Sequence, residues 1–443
     1  MVTNMNIQQS DVVVVGGGLA GLAAASYLAR AGRRVTLFEK SASVGGRAIS
    51  QERNGFYFNL GAHALQADSQ ATKVLAELGV PYTGGKPGKI WAACDGKLDT
   101  LPTGPMSLLR TGLLSPAAKW EAARLLLGMQ STDPDSLRSV SLQEWLQSST
   151  SSPQVRRLME ATARVLTYTN APQALSTGLF VEQMRAASKS GVIYLDGGWQ
   201  TLVDGLRRTA ERSGVEIVTG MRVEAIEHDN GKVTGVRLHG GKHRPAQAVV
   251  VAVSANDAAQ LVEKGGGENA ALSRWAEQSV HVQFACLDVA LRRLPHPDRV
   301  VVLGIDRPLF FSAQSVYSKV APEGSALVYT VKYLDPTRPT EAEQDRRELE
   351  EWLDLIQPGW REQVVEQRVL PHLTVANAMV TAAHGGMSAR PGPQVPGISN
   401  LYVAGDWVGP RGMLVSASLA SARLAAQMIA GQEGEQAHLE MAA

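Results

Sequence analysis

Four consecutive valines at positions 12–15 read as a strand with no polar face, the pattern of a strand covered on both sides. Glycines at 16, 17, 18 and 21 interrupt the apolar run, after which 19–31 takes a helical period and 34–39 returns to a strand. The stretch 12–29 approaches membrane-spanning length, but the four glycines cut it into strand, turn and alanine-rich helix, so it is read as buried structure. Residues 56–60 read as another strand and 69–78 as a helix. Pro81, Gly84, Gly85, Pro87 and Gly88 then mark a break in composition.

From 105 to 190 the pattern is helical, punctuated by Ser115 with Pro116, Ser141 with Glu144, and Ser152 with Pro153, which are helix-start devices. Gly197 and Gly198 open a helix running to Arg212, followed by strands at 216–219 and 223–228. Asn230-Gly231 turns a hairpin into 233–238, and 248–253 is an apolar strand returning to the first sheet. Alternating strands recur at 281–290, 300–305, 326–333 and 364–370, with one charged helix between 340 and 356. A short strand at 401–404 and a helix at 414–429 close the chain, and the tail from Gly431 is expected to fray. The pattern predicts an α/β fold with two interleaved domains. Residues 1–80, 191–275 and 375–443 make one. Residues 81–190 and 276–374 make an α+β substrate domain of helical insert and second mixed sheet.

Composition narrows the function classes. With 443 residues and 44% hydrophobic positions the chain can bury a large core, which excludes general disorder. Forty-three basic residues against 42 acidic ones leave no field for binding nucleic acid by counterion release, so no nucleic-acid partner is expected. Cys94 and Cys286 are too few for a disulfide framework or a zinc cluster, and His281, His372 and His384 lack metal-ligand spacing. No metal is expected. Residues 1–10 lack the basic start of a secretory signal, and together these features predict a cytoplasmic protein.

The chemistry begins at Gly16-x-Gly18-x-x-Gly21, which follows a strand and opens a helix. Gly16 permits the tight turn, Gly18 admits a pyrophosphate to the backbone, and Gly21 lets the helix pack on the sheet. Glu39, 18 residues after Gly21, ends the next strand where an acid accepts ribose hydroxyls. This is a Rossmann-type dinucleotide site. No second unit of this kind appears; Gly265-Gly266-Gly267 is read as a polar loop, so no separate nicotinamide site is expected.

Val44-Gly45-Gly46-Arg47 follows Glu39 and Lys40 after a short loop, and the run from Asp11 to Arg47 resembles the N-terminal signature of the flavin-dependent amine oxidase and phytoene desaturase superfamily. Three more segments are similar to it: 194–199 with its Gly-Gly turn, Arg222-Val223-Glu224, and 402–407 with its Gly405-Asp406-Trp407, continued through Met413. The resemblance covers roughly half the chain and implies non-covalent FAD, because neither cysteine lies in the C-terminal flavin-closing segment. It implies Gly46 and Arg47 along the pyrophosphate and ribityl chain, Val223 at the adenine and Asp406 on a ribityl hydroxyl. The backbone of Met413 and Leu414 would meet the flavin O2 edge.

Catalytic groups are fewer. His63 follows the strand after the Gly-Gly-Arg segment and is a candidate near the flavin ring, against a structural histidine; Trp407 is a candidate cavity wall, against plain core packing. Many amine oxidases of the superfamily carry a lysine that holds water against flavin N5, but the comparable strand here has none. Gln283 is its nearest polar substitute, and Lys332 a possible replacement from a later strand. The reading is an FAD-dependent oxidoreductase that dehydrogenates a C–C or C–N bond of a small, mainly apolar substrate by hydride transfer to flavin N5. Electrons would leave to oxygen, a quinone or another acceptor, and peripheral membrane contact is open. The alternatives are an oxygen-using amine oxidase and a non-catalytic carrier resembling the Rab-escort and dissociation-inhibitor proteins.

Overall fold

The computed structural model describes residues 10–431; the readings made for the first nine positions and for the tail beyond Gly431 lie outside the described residues. Strand β1 (Ser10–Val15), helix α1 (Leu19–Arg30) and strand β2 (Val35–Phe38) form the expected start of a parallel sheet, with Val12 paired to Val35. The valines fill both faces because α1 and the helix Val415–Ile429 cover one side and the helix Ala255–Gly266 helps cover the other. The parallel strands are Glu216–Val218, β2, β1, His243–Val251 and Leu401–Val403, in that order. An antiparallel ribbon, Lys232–Leu238 and Val223–Asp229, extends from the lower half of His243–Val251 through the Asn230-Gly231 turn.

The second sheet runs in the order Val364–Ala376, Val282–Leu291, Ala326–Tyr333, Leu309–Ser312, Val301–Gly304, Ile90–Cys94 and Lys97–Thr100. It is mixed, since only the contact between Val301–Gly304 and Ile90–Cys94 is parallel. The charged helix Ala342–Ile356 packs on one face with Leu349, Trp352, Leu353 and Ile356. The helices between Pro105 and Ser190 continue that core. Ser115, Ser141 and Ser152 cap them as the sequence predicts, each hydroxyl accepting an N–H three residues on.

Two readings change. The hairpin Ile90–Thr100, hidden behind the Pro/Gly break, adds the edge of the second sheet. Gly265 and Gly266 end the helix Ala255–Gly266 and do not lie in a loop, because Ala255, Ala258 and Val262 give that segment an apolar face for the sheet. Among the described residues no helix is long and apolar enough to cross a membrane.

Candidate active site

The turn after β1 is made of close approaches. A Cβ on Gly21 would stand 1.9 Å from the Gly16 carbonyl oxygen, so only glycine lets α1 begin against the strand end. Gly18 is the opposite case: no heavy atom lies within 4 Å of where its Cβ would be. The chain leaves that space open at the first turn of α1, where backbone N–H groups and the helix dipole favour a phosphate. The Gly-Gly-Arg segment flanks it, since the Gly45 N–H donates to Gly17 O at 2.8 Å and the Gly46–Ala48 turn follows.

Glu39 is buried directly after β2. Its Oε2 accepts the Gly17 N–H at 2.7 Å and its Oε1 the Ser41 N–H at 2.8 Å. The carboxylate is thereby fixed in direction, with lone pairs left for ribose hydroxyls. Val223 starts a strand beside it, because the Met221 N–H donates to the Glu39 carbonyl at 3.0 Å; Lys40 is exposed.

The rest of the site comes from the other end of the chain. Arg47 Nη1 donates to the Val375 carbonyl at 2.7 Å and to Asp406 Oδ2 at 2.9 Å. Asn377, which carries no sequence motif, donates its backbone N–H to Oδ2 at 2.9 Å and Nδ2 to Oδ1 at 2.8 Å. Burial by itself would raise the Asp406 carboxyl. The Arg47 charge and these hydrogen bonds outweigh burial and hold it below its ordinary value. Side-chain exposure falls from 39% at Arg47 to 1% at Asp406, so the guanidinium borders open space while the carboxylate behind it does not.

Gly405 is held from behind by the Ser421 hydroxyl, 3.0 Å from its N–H. Leu414 precedes the helix Val415–Ile429 at φ 48° and ψ −119°, a conformation that costs a side-chain-bearing residue energy. Arg390, a second residue without a sequence signal, donates to the Gly412 carbonyl at 2.9 Å and braces that turn. Burial lowers its pKa to about 10, against the opposing pull of Asp406 and Glu182. Among the described residues the N–H groups of Met413 and Leu414 meet no protein acceptor. An open space over Gly18, an acid beside it, a half-open guanidinium and unpaired donors before a helix match the pyrophosphate, ribose and carbonyl edge of FAD. The residues present fit that cofactor.

His63 lies between these halves. Its Nδ1 is 3.1 Å from the Gly61 carbonyl, its ring meets Trp199 edge-on at 4.9 Å, and Gln314 Nε2 donates to its carbonyl at 2.7 Å. Burial pushes its pKa below the usual histidine value, and the charges of Arg47 and Arg368 push the same way. The imidazole is neutral at pH 7, and the backbones of Gly61 and Arg47 are its hydrogen-bond partners.

Beyond Gly61 and Ala62 stands an apolar wall. Phe284 and Cys286 face it together with Val331 and Tyr333 of the adjacent strand, and Tyr168, Leu373 and Leu414 pack around them. Burial raises the pKa of Cys286, Tyr168 and Tyr333, so all three are uncharged at neutral pH. The next residue on that face, Asp288, is buried against Arg368, whose Nη2 lies 2.6 Å from Asp288 Oδ2 and also donates to the Asn59 carbonyl. Asn59 Oδ1 in turn accepts the Trp199 N–H at 2.9 Å and the Ser50 hydroxyl at 2.6 Å. This chain of contacts pins the Asn59–His63 segment between the two sheets.

Three sequence candidates fall elsewhere. Gln283 has the opposite strand parity from Phe284 and lines a surface cleft of about 310 Å³ with His281, Asp335 and His372. Lys332 shares that opposite parity, and its Nζ is held 2.7 Å from Asp345 and 2.8 Å from Glu348 on the outer helix. Trp407 is 2% exposed; it packs against Trp275 at 6.0 Å and donates its indole N–H to the Val253 carbonyl. It is a core residue.

The two-sheet architecture and this site define the class of flavin-dependent oxidoreductases with a dinucleotide domain and a separate substrate sheet. The chain belongs to the flavin-containing amine oxidoreductase family, whose model matches residues 19–430, with FAD as the cofactor, and its matches span about half the length of the curated relatives. A carotenoid 3,4-desaturase from Haloarcula japonica is 25% identical over 58% of this chain, and the match spans 58% of that protein's length. An oxidoreductase from Methanosarcina mazei superposes with a TM-score of 0.76 at 21% identity, over 93% of this chain and 98% of the other. Cyclohexylamine oxidase from Brevibacterium oxydans gives 0.72 at 17% identity, over 96% and 99%. Both structural likenesses speak for the fold.

Proposed function

We propose that the chain is an FAD-dependent dehydrogenase of a mainly apolar substrate, acting as a desaturase on a C–C bond. The observation that carries this reading is the uncharged face formed by Phe284, Cys286, Val331 and Tyr333 beyond Gly61 and Ala62, with Lys332 turned away to Asp345 and Glu348. Such a wall favours apolar surface by burial, and Asp288 further along the same face is already paired with Arg368, so it is no free counter-charge for a cationic amine. FAD, when bound, supplies the two-electron acceptor for the chemistry. The chain's own residues bind and orient it: Glu39 at the ribose, the Gly18 turn at the pyrophosphate, Arg47 and Asp406 at the ribityl chain, and the Met413–Leu414 backbone at the carbonyl edge. The apolar wall excludes water and positions the substrate. His63, neutral and set between the two halves of the site, is a group able to accept a proton.

With Lys332 turned away to Asp345 and Glu348 and Arg368 tied to Asp288, no free ammonium stands at the wall, so direct reoxidation by oxygen is expected to be slow, and the physiological acceptor to be a quinone or other mediator. Mixing photoreduced enzyme with air-saturated buffer in a stopped-flow instrument tests this. Reoxidation over minutes supports the reading; reoxidation within a second favours the oxygen-using amine oxidase.

A further inference from the structure

Among the described residues, seven large hydrophobic side chains are exposed, and four of them fall between positions 106 and 127. Met106 is 58% and Leu109 68% exposed on the helix Pro105–Arg110; Trp120 and Leu127 are each 74% exposed on the helix Pro116–Ser131. The second helix already buries one face through Ala118, Ala122, Leu125 and Met129. Trp120 and Leu127, seven residues apart, share a different face, so this helix is apolar towards the core and apolar again towards the outside. Lys119 Nζ donates to the Leu109 carbonyl at 2.7 Å, which joins the two helices into one continuous surface.

Charge selects what covers it. Residues 105–131 carry Arg110, Lys119 and Arg124 against the single acid Glu121, in a chain whose net charge is only +1. Glu121 is satisfied within the fold, its carboxylate accepting the N–H groups of Ser151 at 3.0 Å and Ser152 at 3.2 Å; Arg124 donates through one nitrogen to the Ser149 carbonyl at 2.9 Å and keeps its charge and other donors, as Lys119 does at Leu109. We infer that this two-helix face of the substrate domain docks on an anionic phospholipid surface, with Trp120, Leu127, Leu109 and Met106 seated at the headgroup level and Arg110, Lys119 and Arg124 on lipid phosphates. A tryptophan with flanking cations on an uncovered apolar helix face has the chemistry of an interfacial anchor. A second copy of the chain fits less well, because a two-fold contact would set three cations against three cations.

The test uses the full FAD-loaded chain and needs no turnover, so it stands or falls apart from the proposed reaction. Co-sedimentation is measured with vesicles of pure phosphatidylcholine and of equimolar phosphatidylcholine and phosphatidylglycerol. The wild type is expected to sediment with the anionic vesicles and to be released by high salt. Trp120→Ser with Leu127→Ser should weaken binding roughly tenfold or more. Arg110→Gln with Arg124→Gln should weaken it roughly 25-fold on anionic vesicles only, at about fivefold for each of the two cations. Retained flavin absorbance in these surface variants establishes that the fold is intact. Absence of vesicle binding by the wild type overturns the inference, as does equal binding by the variants. A wild-type dimer that the Trp120/Leu127 variant dissociates, without vesicle binding, also overturns it and assigns the face to a second copy.

Discussion

Arg47 and Asp406 join parts of the chain 359 residues apart, Nη1 lying 2.9 Å from Oδ2. The pair ties the Gly-Gly-Arg turn to the strand Leu401–Val403, and through Val375 and Asn377 it also holds the end of the longest strand of the second sheet. The two sheets therefore meet at one buried carboxylate.

That carboxylate and Asp288 predict opposite acid responses. Asp406 has a depressed pKa, so its contribution is present above the unfolded carboxylate value and is lost as pH falls through the folded one. Asp288 has its pKa raised by burial to about 6, in spite of Arg368. Its native form holds the proton more tightly than the unfolded chain, so stability declines as pH rises from the unfolded value through about 6. Urea unfolding of apoprotein across acid to neutral pH is expected to show Asp288→Asn removing part of that decline and Asp406→Asn removing part of the acid loss. Superimposable wild-type and variant profiles would contradict both assignments.

Gly18→Val should fold and fail to bind FAD, because the added Cβ has no heavy atom of the fold within 4 Å while the side chain projects into the space assigned to the pyrophosphate. Glu39→Ala should weaken FAD about 10- to 150-fold, the equivalent of roughly 1.5–3 kcal/mol for hydrogen bonds to a charged acceptor. Circular dichroism and flavin absorbance together read both outcomes. A yellow Gly18→Val protein would show that the space serves another purpose.

The cofactor is expected to be non-covalent. Cys286 lies under Gly61, where an added Cβ would come 3.0 Å from its Sγ, but burial raises its pKa well above the free thiol's and keeps it from forming a thiolate. Cys94 sits on the strand Ile90–Cys94 near the far edge of the second sheet. Denaturation and filtration should release all flavin as FAD; colour retained on the precipitate would contradict this.

The parts of the site that could be read from sequence are those whose logic is local. Gly16, Gly18, Gly21 and Glu39 belong to one strand-helix-strand unit, and their spacing carries their geometry. Asn377 and Arg390 reach Asp406 and Gly412 from segments without a motif, so only the folded chain brings them in. Gln283 and Lys332 are a different case, lying on the strand face opposite Phe284 and Tyr333. Alternation along a strand gives two faces but not which face meets the flavin, and a shift of one residue exchanges Phe284 for Gln283. Trp407 follows Asp406 directly in the Gly-Asp-Trp segment, yet its side chain turns back into the core and donates to Val253.

The central claim is that the reacting face selects apolar substrate. Anaerobic titration of the FAD-loaded enzyme with two panels, long apolar hydrocarbons bearing an oxidisable C–C bond and primary or secondary amines, measures it through bleaching of the flavin band. The account predicts bleaching by at least one apolar compound and none by simple amines. Fast bleaching by a simple amine, with the hydrocarbons inert, would contradict it.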